Sequence, residues 1–119
     1  MFFGTPASSV PSLSALLESD IEVAAVVTNP DRPAHRGLRE RTTPVKDLAL
    51  AAGIEVLQPE RVRDPSFQTT FTALRPDIAC VVAYGKILPV ELLEAPALGF
   101  VNAHFSLLPS YRGAAPVQW

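Results

Sequence analysis

The chain has 119 residues, of which 48% are hydrophobic, and its formal net charge is −2. This length suits one globular domain and leaves no room for a second. The apolar runs are too short to cross a bilayer, and no charged-then-apolar leader precedes the first strand-like residues. The single cysteine, Cys80, lies in an apolar run, which excludes a disulfide framework or a zinc site and favours a reducing, cytoplasmic location. We therefore expect no metal and no membrane partner.

Positive charge is concentrated in one segment. Residues 31–46 hold five basic and two acidic side chains, a local charge of +3, so the rest of the chain carries −5. A basic segment on an acidic body is typical of a surface that meets an anionic partner, although solvated loops have the same composition.

Strand-like and helix-like segments alternate along the chain. In chain order we predict a strand at residues 2–3, a helix at 10–17, a strand at 23–28, a polar loop at 31–43, a helix at 44–52, a strand at 54–57, a helix at 64–74, a strand at 78–82, a helix at 89–93 and a strand at 99–103. Pro11 fits an early helical position, Thr43-Pro44 predicts a capped helix start, and Gly53 predicts a helix end.

This alternation predicts an α/β fold with a Rossmann-like, doubly wound, mostly parallel sheet and helices on both faces. In such sheets ligands bind beyond the carboxyl ends of the strands. The first loop, Gly4-Thr5-Pro6, lacks the spaced glycines of a dinucleotide fingerprint, which disfavours a nicotinamide enzyme.

Two polar side chains, Asn102 and His104, follow the last apolar strand residues. Their spacing of two directs both to one side of a strand, at the sheet edge where ligands bind. An Asn amide suits a developing oxyanion, and a His accepts or donates a proton near neutral pH. The pair therefore suits attack of an amine on an acyl or formyl carbon. Taken alone, however, such a pair is more often an ordinary turn.

The loop that follows holds two adjacent leucines, an aromatic residue and an arginine, at residues 106–116. It could hold a flat, partly apolar, anionic ligand, or it could fold back onto the core with Arg112 exposed. Residue chemistry alone leaves these two interpretations even.

The segment Asn102-x-His104-x-Ser106-Leu107-Leu108-Pro109-x-Tyr111-Arg112-Gly113 closely resembles the signature of the folate-dependent formyltransferases, and the resemblance covers essentially the whole chain. It implies 10-formyltetrahydrofolate as the formyl donor and an amine as the acceptor. It also implies that Asn102 stabilises the tetrahedral intermediate and that His104 assists proton transfer. The folate-binding residues that it implies are Ser106, Leu107, Leu108 and Pro109.

A second stretch, Tyr84-Gly85-Lys86-Ile87-Leu88-Pro89, also resembles that family. The resemblance implies that Tyr84, Gly85, Ile87 and Leu88 help line the pterin pocket. A simple strand-to-helix turn explains the same residues nearly as well.

Three stretches, at residues 2–6, 28–33 and 112–119, resemble the branch of the family that formylates methionyl initiator tRNA. That branch inserts the basic loop after its second strand into the tRNA acceptor stem. The resemblance therefore implies that Arg36, Arg39 and Arg41 bind tRNA, through salt-sensitive phosphate contacts.

The family's third catalytic residue is an aspartate downstream of the Ser-Leu-Leu-Pro stretch, and Asp77 would lie at the wrong end of its strand to replace it. We therefore expect residues 1–119 to be part of a formyltransferase catalytic domain, truncated at both ends and without the C-terminal β-barrel. On this expectation the chain is a monomer that is inactive alone.

Three alternatives stay open. The first is a folate-dependent formyltransferase that acts on a small amine, such as a purine precursor or a nucleotide sugar, for which the basic loop would be unnecessary. The second is a non-catalytic folate-binding or RNA-binding relic, and the third is a generic α/β domain.

Overall fold

The computed structural model describes residues 1–33 and 40–103. Within them the elements, in chain order, are β1 (Phe2–Gly4), a 3₁₀ turn (Ala7–Ser9), α1 (Val10–Leu17), β2 (Ala25–Val27), β3 (Arg32–Pro33), β4 (Glu40–Arg41), α2 (Pro44–Ala51), β5 (Glu55–Leu57), α3 (Pro65–Ala73), β6 (Ala79–Val82), α4 (Val90–Leu93) and β7 (Phe100–Ala103). None of these helices has the length and apolar character needed to cross a bilayer.

The main sheet has the strand order β5-β2-β1-β6-β7, and every adjacent pair is parallel. The first strand is central, and the chain winds outward from it first to one side and then to the other. This is the order of a doubly wound, dinucleotide-fold sheet. The predicted α/β fold class is therefore confirmed.

Alternate residues of the central strands face opposite sides of the sheet, and each side has its own apolar cluster. Phe3 packs with Phe67 and Phe71 of α3, whereas Phe2 packs with Leu13 of α1 and Val45 of α2. The chain thus covers both faces with helices. This double burial explains why the strands are continuous apolar runs rather than alternating ones.

Local capping explains where the helices begin. Thr43 precedes α2, and its hydroxyl accepts a 3.0 Å hydrogen bond from the backbone N–H of Lys46. Asp64 caps α3 by accepting a 3.1 Å hydrogen bond from the backbone N–H of Ser66. A proline opens each of these helices, since it needs no hydrogen-bond acceptor there. The predicted starts of both helices are confirmed.

The segment predicted as a polar loop, residues 31–43, differs from expectation because it contains a short antiparallel pair. Strand β3 pairs with β4, so that Arg32 lies opposite Arg41 and Pro33 lies opposite Glu40. Two-residue strands are too short to produce a periodic pattern, which is why the sequence did not reveal them.

Gly4 ends β1 where three neighbours crowd its backbone. A β-carbon at this position would lie 2.9 Å from Phe2 Cε2, from Ser9 Cβ and from the carbonyl oxygen of Val82. The Ser9 hydroxyl, which is buried, donates to that same carbonyl. The glycine therefore lets β1, the 3₁₀ turn and β6 approach closely.

Replacing Gly4 with alanine should lower the free energy of unfolding by about 1–3 kcal/mol, because the added methyl group must displace backbone as well as side chains. Urea denaturation followed by circular dichroism measures this change. An unchanged midpoint would show that the crowding is relieved at no cost.

Candidate functional site

The carboxyl ends of β1 and β6 form the switch point of the sheet, where the chain turns from one side of β1 to the other. In doubly wound sheets the loops after the strands at the switch point diverge, and ligands bind in the crevice between them. The loops at this edge begin at Thr5 after β1, Thr28 after β2, Gln58 after β5 and Ala83 after β6.

The turn after β6 has an unusual backbone. Ala83 has φ 58° and Gly85 has φ 90°, so two residues in three adopt left-handed conformations. Only glycine does so without steric cost, and a β-carbon at Ala83 adds strain that the surroundings must offset. Strained turns of this kind are concentrated at functional sites.

The residues predicted to line the pterin pocket divide into two groups. Tyr84 and Leu88 are buried in the apolar cluster, whereas Gly85 is exposed and Ile87 is 87% exposed. The Tyr84 ring packs edge-on against Phe3 at a centroid distance of 5.3 Å. Its hydroxyl is buried and has no partner in the described part of the chain, and burial raises the pKa of Tyr84 to about 12. Tyr84 and Leu88 thus shape the turn, while Gly85 and Ile87 are accessible to a ligand.

Asn102, the predicted oxyanion residue, is the penultimate residue of β7 and is half-buried. It lies opposite Val81 of β6, on the sheet face that α3 covers. The Tyr84 ring and the Leu88 side chain belong to the apolar cluster on that same face. Asn102 and the turn after β6 therefore lie on the same face of the sheet and at the same edge. The other predicted residues of this region, His104, Ser106, Leu107, Leu108 and Pro109, lie outside the described residues.

Asn29 connects three loops at this edge. Its side-chain N–H donates a 2.9 Å hydrogen bond to the backbone carbonyl of Tyr84, 55 residues away. Its backbone N–H donates to the Thr5 hydroxyl at 3.3 Å, and its carbonyl accepts from the Gln58 side chain at 3.2 Å. Since β1 lies between β2 and β6, the Asn29 side chain spans the end of the central strand.

The antiparallel pair of β3 and β4 carries Arg32 and Arg41 and is called the basic hairpin below. An ion pair lies at its base. Lys46 of α2 lies 2.8 Å from one oxygen of Asp31, and Gln58 donates to the other oxygen at 2.8 Å. The hydrogen bond from Lys46 is the main reason that the pKa of Asp31 falls below its ordinary value of 3.8, and the Gln58 hydrogen bond adds to it. This is the only salt bridge within the described ranges, and each side chain of the pair is 18% exposed.

Two arginines face each other across the hairpin. Arg32 and Arg41 are directly opposed and both are exposed. Like charges in this position repel each other unless an anion lies nearby. Of the predicted tRNA-binding residues, Arg41 is therefore in the hairpin, whereas Arg36 and Arg39 lie outside the described part of the chain.

A cavity at the opposite edge of the sheet has no part in this site. It has a volume of about 600 Å³ and is lined by residues at the amino ends of the strands, including Met1, Val23 and Ile78. Asp77 lines it too, which agrees with the expectation that this residue lies at the wrong end of its strand. In residues 1–33 and 40–103, no three His, Cys, Asp or Glu side chains lie close enough to hold a metal ion.

Comparison with known proteins identifies the family. The sequence profile described as "Formyl transferase" matches residues 1–119. The chain belongs to the formyl transferase family. It is 53% identical over 119 residues to a protein named methionyl-tRNA formyltransferase from Acetivibrio thermocellus, and 60% identical over 119 residues to one of the same name from Frankia alni. These alignments cover 100% and 99% of this chain but only 38% and 36% of the relatives.

A solved structure supports the same fold. Phosphoribosylglycinamide formyltransferase from Anaplasma phagocytophilum superimposes with a TM-score of 0.61 at 23% identity, over 95% of this formyl transferase chain and 52% of that one. At this identity the likeness shows the architecture alone.

Sequence reasoning missed two residues of this site. Asn29 lies in the stretch 28–33 that resembles one branch of the family, but it was given no role of its own because an Asn-Pro pair is an ordinary turn signal. Arg32 was counted in the basic segment but not among the predicted tRNA-binding residues. Its position opposite Arg41 depends on the hairpin, which has no periodic signal in the sequence.

The ion pair at the hairpin base should give the protein a specific acid sensitivity. A carboxyl group whose pKa is lowered in the folded protein contributes to stability at pH values above its ordinary pKa of 3.8. That contribution is lost as the pH falls through the lowered pKa. D31N should therefore be less stable than the wild type at pH 7, and the two should converge as the pH falls through the lowered pKa.

Urea denaturation between pH 7 and pH 2.5 measures this convergence. The exposed Asp20→Asn removes the same charge elsewhere and should stay within about 0.5 kcal/mol of the wild type. A difference for D31N that is independent of pH would show that Asp31 does not act through its charge.

Proposed function

We propose that this chain is part of the catalytic domain of a longer, cytoplasmic methionyl-tRNA formyltransferase. On this proposal it takes a formyl group from 10-formyltetrahydrofolate and transfers it to the amino group of methionyl initiator tRNA. The main support is the identity of 53% and 60%, across almost the whole chain, to two proteins of that name. The β-barrel domain and the catalytic aspartate would belong to the remainder of that protein.

Formyl transfer needs a hydrogen-bond donor to the developing oxyanion and a proton acceptor beside the same carbon. The amine nitrogen attacks the formyl carbon, the carbonyl oxygen gains negative charge, and the bond from that carbon to the folate nitrogen then breaks. The proton lost by the amine is passed on to the folate nitrogen that leaves. Asn102 would donate its amide N–H to the developing oxyanion, and His104 would carry the proton.

The formyl-donor side of the site would be built on the turn after β6. Gly85 lets the backbone approach a flat ligand, and Ile87 offers an apolar side chain that is 87% exposed. Tyr84 and Leu88 would act from within the core by fixing the path of the turn. Ser106, Leu107, Leu108 and Pro109 would complete the folate pocket.

The tRNA side would be the basic hairpin. Arg32 and Arg41 face each other without an ion-pair partner in the described part of the chain, an arrangement that a phosphate between them would stabilise. Arg36 and Arg39 would extend this surface. A small amine acceptor gives no reason for such a cluster, which favours tRNA as the acceptor.

In the full-length protein, N102A should lower kcat by about 10²–10³-fold, because the oxyanion loses a preorganised donor. Single-turnover formylation of methionyl initiator tRNA measures this change. V101A is the matched control: Val101 is the neighbouring residue on the other face of β7, it is 48% exposed, and its loss should leave kcat unchanged. Equal rates for N102A and the wild type would contradict the assigned role.

R32Q and R41Q should each raise KM for methionyl-tRNA several-fold and lower the salt slope of tRNA binding by about 1, while KM for the formyl donor stays constant. R75Q removes the same charge from an exposed position near the opposite edge and is the control. Unchanged KM for tRNA in both hairpin variants would favour a small amine acceptor instead.

A further inference from the structure

We infer that Asn29 is a positioning residue for the formyl donor: its side-chain amide holds the strained turn Ala83–Gly85 across the end of β1. This inference rests on the proposed function, since it assumes that the turn after β6 binds 10-formyltetrahydrofolate. It assigns a role to a residue of the loop after β2 that acts on the formyl donor through the Tyr84 peptide.

The backbone of the turn is strained. Ala83 is exposed and left-handed, and Gly85 is exposed and left-handed two residues later. An exposed alanine gains nothing from packing that would offset its left-handed φ. Such a backbone persists only where neighbouring contacts determine it on both sides.

Two contacts hold the turn, one from each side. On the core side the Tyr84 ring is 2% exposed and packs against Phe3. On the other side the Asn29 amide donates to the Tyr84 carbonyl at 2.9 Å. A β-carbon built at Gly85 would lie 3.9 Å from the same amide nitrogen, so Gly85 lies beside this group. The ring and the amide together fix the peptide between two left-handed residues.

The carboxamide of Asn29 is itself fixed. Its hydrogen bond spans 55 residues of sequence, while the backbone of Asn29 is held by the Thr5 hydroxyl and by Gln58. Its side-chain oxygen is buried and has no partner among residues 1–33 and 40–103, so within this part of the chain the amide acts as a donor only. A carboxylate of the same shape would place an acceptor against the Tyr84 carbonyl and repel it.

The consequence concerns the formyl donor selectively. A displaced Tyr84 peptide moves Gly85 and Ile87, the accessible part of the turn, relative to the sheet edge. The arginines of the hairpin are held through the ion pair of Asp31 and Lys46, in which the side-chain amide of Asn29 takes no part. Loss of the Asn29 donor should therefore weaken binding of the formyl donor and leave binding of tRNA unchanged.

The test is steady-state formylation by the full-length protein, with 10-formyltetrahydrofolate and methionyl initiator tRNA varied in turn. N29D should raise KM for the formyl donor about tenfold, with KM for tRNA unchanged, because a buried carbonyl loses its donor. N29Q keeps the amide and should have a smaller effect. A83G relieves the left-handed strain, so in the double variant A83G/N29D the loss should be smaller than in N29D.

Q68E is the matched control, because Gln68 also donates a side-chain N–H to a backbone carbonyl, that of Val62, at 3.3 Å. It makes the same amide-to-carboxylate change and should leave KM for the formyl donor unchanged. Denaturation of each variant shows whether it is folded, so that a change in KM can be assigned to the position of the turn. If N29D does not fold, N29Q is measured in its place.

The inference is overturned if N29D leaves KM for the formyl donor unchanged, if both substrates lose affinity equally, or if A83G restores nothing. Failure of the proposed function is a different result, since the wild-type protein would then form no formylmethionyl-tRNA at all.

Discussion

The burial of β1 on both faces is the constraint from which the rest of the structure follows. Phe2 and Phe3 point to opposite sides and are both fully buried, so each side of the sheet needs its own layer of helices. The strand also has neighbours on both edges, because the chain adds β2 and β5 on one side of it before it crosses to add β6 and β7 on the other. The switch point at its carboxyl end results from that crossing. The position of the site is therefore a consequence of how the core is closed.

Polar groups at this edge are paired across loops because they are partly shielded from water. The Thr28 and Thr43 hydroxyls, both buried, lie 2.8 Å apart and join the end of β2 to the start of α2. Gln58 bonds to both Asn29 and Asp31. A buried donor or acceptor without a partner costs stability, and these contacts satisfy groups from several loops at once. The same hydrogen bonds that reduce that cost also fix the loops on which binding would depend.

The sequence predicts the individual strands and helices better than it predicts the contacts between them. Apolar runs bounded by proline and glycine predicted the five main strands and the four helices, because burial on two faces and capping both leave local signals. The hairpin was not predicted, since Arg32 and Arg41 meet through pairs of only two residues. Asn29 was not predicted because its partner is 55 residues distant. Asn102 could be predicted at the sheet edge, as strand period and strand polarity are both local properties.

The short segment Asn29-Pro30-Asp31 connects the two halves of the proposed site. Its first residue holds the turn that would bind the formyl donor, and its third residue holds the base of the basic hairpin. Proline between them fixes φ near −65° and reduces the freedom of the segment. The distance between the two proposed sides would thus be set by a three-residue segment whose first residue has its backbone tied to Thr5 and Gln58. Because a formyl transfer requires its two substrates to meet at bonding distance, a rigid connection between their sites lowers the entropy lost on reaching that geometry.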